Sequence, residues 1–172
     1  FHSFLNEFYK RVHKVNDEEI AKARRLQLDI LNSQINRARQ RGQTFLYGGF
    51  TVLAAPLLCM MRSLEQFIRD MYQVPSLLDR VLEVVTEALI ADGIASARKT
   101  GIPRLFIGTA RLTCQLISVP LFERFVWSSM KQTVFKLLDA GITPIFHLDS
   151  DWTKNLEYFR EFPPGKVVIE LD

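Results

Sequence analysis

Behind Asn16 the apolar residues Ile20, Ala23, Leu28, Leu31, Ile35 and Ala38 recur at helical intervals until Gly42, and Asn16 with Glu19 has capping-box spacing. This pattern predicts one long amphipathic helix. The rhythm then shortens. Thr44 to Tyr47 reads as a brief strand closed by Gly48 and Gly49, residues that let the backbone turn sharply or approach a ligand closely. Ser63 with Gln66 opens a short helix to about Tyr72, and Pro75 starts a longer one through Leu78, Val81, Leu82, Val85 and Leu89, ended by Gly101 and Pro103. Leu105, Phe106 and Ile107 make Arg104 to Gly108 a short buried strand.

Ser118 and Pro120 start a helix with a stripe of Phe122, Phe125, Val126, Met130, Val134, Leu137 and Leu138, closed by Gly141. Thr143 to Phe146 is again strand. Thr153 caps a helix running to about Phe162, Pro163-Pro164-Gly165 turns the chain, and Lys166 to Leu171 is the last strand. Strands separated by helical crossovers form a parallel sheet. No glycine-rich phosphate loop follows any of them, which disfavours an open doubly wound sheet. The fold class is therefore α/β, a parallel (β/α) barrel of TIM type with about four strands and an N-terminal helical segment. We take residues 1–172 as a single domain, with N-terminal helices over 1–42 and βα units over 43–172. A full barrel has about 250 residues and eight strands, so the chain reads as part of a barrel.

Composition narrows the partners. With 48% hydrophobic and 24% charged residues the chain has the usage of an ordinary globular domain, not of a tail or fibre. The net charge of +3 raises the question of nucleic acid. Its densest basic run, however, Lys22, Arg24, Arg25, Arg37, Arg39 and Arg41, is spread along one helix as a solvated face. Neither nucleic acid nor membrane is expected as a partner, since the apolar run Val52 to Met61 stops at Arg62, short of the roughly 18 residues a span needs. Cys59 and Cys114 form no CxxC pair, which fits a reduced, cytoplasmic setting. A small-molecule substrate remains.

Polar residues gather where the strands end, the place where (β/α) barrels carry their active sites. His147 and Asp149, two apart beyond the third strand, point to the same side and suit acid/base work or metal ligation. Asp172 ends the fourth strand on the same face as Glu170 and is the third catalytic candidate. Arg111, with Thr109 and Thr113 nearby, could hold a substrate carboxylate with both arms of its guanidinium. Tyr47 and Glu170 join it as substrate-binding candidates. Asp151, before Trp152 and Thr153, reads as a turn residue leading into a helix.

The wording of several segments resembles the uroporphyrinogen decarboxylase superfamily. The segments are Ile117-Ser118-x-x-x-Phe122-Glu123-x-Phe125-Val126-Trp127, Ala140-Gly141-Ile142-Thr143-Pro144-Ile145-Phe146-His147, Asp149-Ser150-Asp151-Trp152-Thr153 and Pro164-Gly165-Lys166. Phe67-x-x-Asp70-Met71-Tyr72-x-x-Pro75 extends the likeness backwards. The resemblance implies a (β/α)8 barrel that either decarboxylates a tetrapyrrole or moves methyl groups between a corrinoid protein and a thiol acceptor. The methyl-transferring branch carries an H-x-C motif that binds zinc. His147 matches its histidine, but Asp149 stands where the cysteine would be. An oxygen ligand makes a harder site than a thiolate. On this resemblance the leading expectation is methyl transfer with a corrinoid carried by a partner protein and a metal, zinc by the motif, at His147 and Asp149. Tetrapyrrole decarboxylation is the alternative. A third reading is a non-catalytic half-barrel whose sheet edges pair in a homodimer.

Overall fold

The computed structural model describes residues 2–109 and 112–171, without the side chains of residues 2–5, 8 and 9. Two of the expected site residues, Arg111 and Asp172, lie outside the described residues. The chain forms two compact units, Phe1–Leu46 and Tyr47–Asp172. In the first, α1 (His2–His13) is followed by α2 (Asp17–Gln40). The capping box is present at the start of α2. The Asn16 side chain accepts from the backbone N–H of Glu19 at 2.9 Å, and the Glu19 carboxylate accepts from that of Asn16 at 2.8 Å.

The second unit runs β1 (Gly49–Val52), α3 (Ala54–Arg62), α4 (Leu64–Gln73), α5 (Pro75–Thr100), β2 (Arg104–Gly108) and α6 (Val119–Phe122). A π-helical turn over Glu123–Trp127 then leads into α7 (Ser128–Asp139), followed by β3 (Thr143–Leu148), a 3₁₀ helix over Thr153–Glu161 and β4 (Val168–Leu171). The strands form one sheet in the order β1-β2-β3-β4, and every pair is parallel. Each strand thus lies beside its sequence neighbour, the order of a barrel wall, consistent with a partial TIM-type barrel. Leu105, Ile107, Phe146 and Leu148 are fully buried and join one core with Leu78, Leu82 and Leu89 of α5 and Met130, Val134 and Leu137 of α7. Alternating with them, Arg104, Phe106 and His147 are only partly buried, so the sheet's second face is less covered, although Ile145 on it is buried.

Two local expectations are corrected, and one element is added. The first strand is Gly49–Val52, not Thr44 to Tyr47. The glycine pair does not end a strand. It lets β1 lie against the end of α5: a Cβ on Gly49 would fall 2.6 Å from the Ser96 hydroxyl, and one on Gly48 would collide with Thr100 and the Ile102 carbonyl. The apolar run after β1 is helical, as α3. Beyond Thr153 the helix is 3₁₀, and Asn155 turns into the core with no exposed surface.

The α3–α4 corner holds a strained residue. Ser63 has φ 75° and ψ 150°, a region open almost only to glycine, and its side chain accepts from the Gln66 N–H at 3.3 Å. Ser63→Gly is expected to raise stability by about 1 kcal/mol, since relief of strain outweighs the few tenths lost when glycine replaces a capping serine. A urea melt measures it. Beside this corner Asp70 accepts from Arg62 at 2.5 Å and from Gln66 at 2.9 Å, and the guanidinium holds its carboxyl below the ordinary range. A depressed folded-state pKa contributes stability above the ordinary carboxylate range and loses it as pH falls through the folded value. Asp70→Asn should therefore lower the melting temperature at neutral pH and lose that deficit in acid.

Candidate active site at the ends of the strands

The register of the sheet decides which side chains meet. Val52, Gly108, His147 and Glu170 are partners across four adjacent strands, and Phe50, Phe106, Ile145 and Val168 form the row two residues earlier. Partners in register project to the same face, so His147 and Glu170 stand side by side above Phe106. Gly108, beside His147, adds no side chain of its own.

The imidazole of His147 is held between two carboxylates. Its Nδ1 lies 2.9 Å from Oε2 of Glu170 and its Nε2 lies 3.1 Å from Oδ1 of Asp149. A ring donates from both nitrogens only as imidazolium. Its flat side stacks on Phe106, with centroids 5.6 Å apart and planes 28° apart. Phe106 in turn meets Tyr47 at 4.8 Å and Phe50 at 6.0 Å. The His147 side chain keeps 30% of its surface and the two carboxylates keep 42% and 54%, so the group is open to a solute.

The backbone beneath is fixed by buried side chains. The Thr109 hydroxyl donates to the His147 carbonyl at 2.7 Å, and the Trp152 indole donates to the Asp149 carbonyl at 3.0 Å. Asp151 accepts from the Thr153 N–H and from Gln115, each at 2.8 Å, and these bonds keep its carboxyl below the ordinary range. Asp151 thus serves the turn. Asn155 accepts from the Cys114 N–H at 3.1 Å and donates to its Sγ at 3.0 Å, tying the loop after β2 to the 3₁₀ helix.

Across residues 4–172 the chain matches the family model described as Uroporphyrinogen decarboxylase (URO-D). The chain belongs to the uroporphyrinogen decarboxylase superfamily. No curated protein matches it closely enough to count as a relative. Membership and the parallel sheet agree, because a sheet of four parallel strands in sequence order is consistent with part of a TIM-type barrel. Of the residues the sequence singles out, His147, Asp149 and Glu170 meet directly, and Tyr47 reaches them through Phe106. The buried-strand pattern hides Phe106 in the core, and nothing in the sequence marks Phe50. The signal for Phe106 was alternation, since Leu105 and Ile107 point to the helices and the residue between them cannot.

The zinc implied for the methyl-transferring branch fits poorly here. Catalytic zinc takes three protein ligands. Among the described residues no group of three or more His, Cys, Asp or Glu is placed to hold an ion, and both nitrogens of His147 already face carboxylates. A crevice of about 740 Å³ between α5 and the α6–α7 helix shares no residue with the His147 group. Among the described residues no helix is long and apolar enough to cross a membrane.

Proposed function

We propose that this member of the uroporphyrinogen decarboxylase superfamily is a carboxy-lyase acting on a pyrrole-ring substrate that bears carboxylate arms, with His147 as the proton donor. The observation that carries this reading is the imidazole held between Asp149 and Glu170 and stacked on Phe106. In this reading the ring of the substrate lies along the aromatic wall of Tyr47, Phe50 and Phe106. The bond between its carbon and a carboxylate breaks, carbon dioxide leaves, and the electron pair left on carbon takes the proton of His147. Water then returns a proton to the imidazole. Two carboxylates on one imidazole hold the ring in place with a nitrogen free to face the substrate only when one of them turns aside, and proton donation from a positioned imidazole is ordinary general-acid chemistry. Arg111 is the candidate for holding a second carboxylate arm.

The test is incubation of the protein with uroporphyrinogen, counting lost carboxylates by mass spectrometry. The reading expects stepwise loss, and an unaltered porphyrinogen overturns it. A second reading keeps methyl transfer between a corrinoid protein and a metal-activated acceptor. It is favoured by His147 and Asp149 standing at an H-x-C position, and it needs His147 to release a carboxylate. Zinc titration with a methyl-corrinoid protein and a thiol separates the two: methylated thiol that depends on zinc selects the second.

A further inference from the structure

Between the end of β3 and the 3₁₀ helix the chain reverses over Asp149, Ser150, Asp151 and Trp152. Ser150 sits at φ 74°, in the left-handed region that residues with a Cβ avoid. Serine gives that conformation no help of its own, so the turn must be held by its neighbours. Two holds are present. Asp151 is fixed by Thr153 and Gln115, as described, which secures the far side of the turn. On the near side the Trp152 indole is rooted in the core, 2% exposed, with Phe122 at 6.0 Å and Phe159 at 6.2 Å. From there its N–H reaches back to the Asp149 carbonyl at 3.0 Å. The residue whose backbone it grips is the one whose carboxylate meets Nε2 of His147.

We propose that Trp152 is a positioning residue for the strand-end site: its buried indole, by holding the Asp149 carbonyl across the strained Ser150 turn, sets the Asp149 carboxylate against Nε2 of His147. Trp152 touches no reacting atom and acts through Asp149. Its consequence for turnover rests on the reading of His147 as proton donor, while its hold on Asp149 does not.

Trp152→Phe keeps an aromatic ring in the core and removes the N–H. The chain has three histidines, so the ring resonances of His147 are readily assigned in protein labelled with ¹⁵N-histidine. In the wild type the Nε2–H proton of His147, bonded to Asp149, should exchange more slowly than in Asp149→Asn. In Trp152→Phe it should exchange at least tenfold faster, matching Asp149→Asn. Turnover of the porphyrinogen should fall roughly ten- to hundredfold with KM unchanged, the scale of a small misplacement in the site. Phe159→Leu is the control for packing alone: it should lower the melting temperature yet leave the His147 proton protected. A His147 proton equally protected in Trp152→Phe overturns the proposal. A proton lost while turnover stays at the wild-type rate leaves the hold on Asp149 standing and removes the proton-donor reading. If Trp152→Phe does not fold, the wild type decides. The Trp152 indole proton and the His147 Nε2 proton should then open together as temperature rises, and a freely exchanging indole beside a protected His147 overturns the proposal.

Discussion

Replacing His147 with glutamine is expected to lower the rate of porphyrinogen decarboxylation by about a hundred- to ten-thousandfold, the span that one positioned proton donor supplies. Glutamine can still donate a hydrogen bond but has no proton to give up. The effect should fall on kcat, because the aromatic wall of Tyr47, Phe50 and Phe106 that would receive the ring is untouched. Stability should barely change, since His147 is partly exposed and both carboxylate partners can turn to solvent. Steady-state rates with circular dichroism melts measure both quantities. A His147→Gln protein that decarboxylates at the wild-type rate moves the chemistry elsewhere on the rim.

Gly48→Ala is expected to be the most damaging small substitution in the sheet, lowering stability by about 3 kcal/mol, at the upper end for overpacking. Gly48 donates its N–H to the Arg104 carbonyl at 2.8 Å and accepts the Thr100 hydroxyl at 2.9 Å. It is held on both sides before β1 begins. An added Cβ would strike the Ile102 carbonyl, which is backbone and cannot swing aside, as well as the Thr100 hydroxyl. Relief requires β1 to shift away from β2, which would break the register that aligns Val52 with Gly108. Denaturant melts measure the loss. A change under about 1 kcal/mol would mean the strand can move without cost, against the close packing of protein cores.

Local signals in the sequence were reliable where their cause is local. The Asn16 and Glu19 capping box needs only four consecutive residues, and Pro75 sets the first turn of α5 by its own ring. His147 and Asp149 could be paired for the same reason, because a spacing of two on a strand fixes the side they share. The glycine pair was misread because its cause is distant: Gly48 and Gly49 are small to fit Thr100, Ile102 and Ser96, some fifty positions away along the chain. Glu170 is the sharper case. Its place on the last strand was legible and so was its face, but its meeting with His147 depends on the β3–β4 register, which no single segment encodes. The Trp152 indole belongs with it. Nothing in Asp-Ser-Asp-Trp announces that the tryptophan bonds backward to the first aspartate.

The central claim is that His147, set between Asp149 and Glu170, delivers a proton to the carbon that loses carbon dioxide. A single turnover of uroporphyrinogen in heavy water tests it most directly. The account expects one deuterium on carbon for each carboxylate lost, formed at the wild-type rate and slowed in His147→Gln. Unchanged porphyrinogen, or deuterated product formed equally fast by His147→Gln, would contradict it.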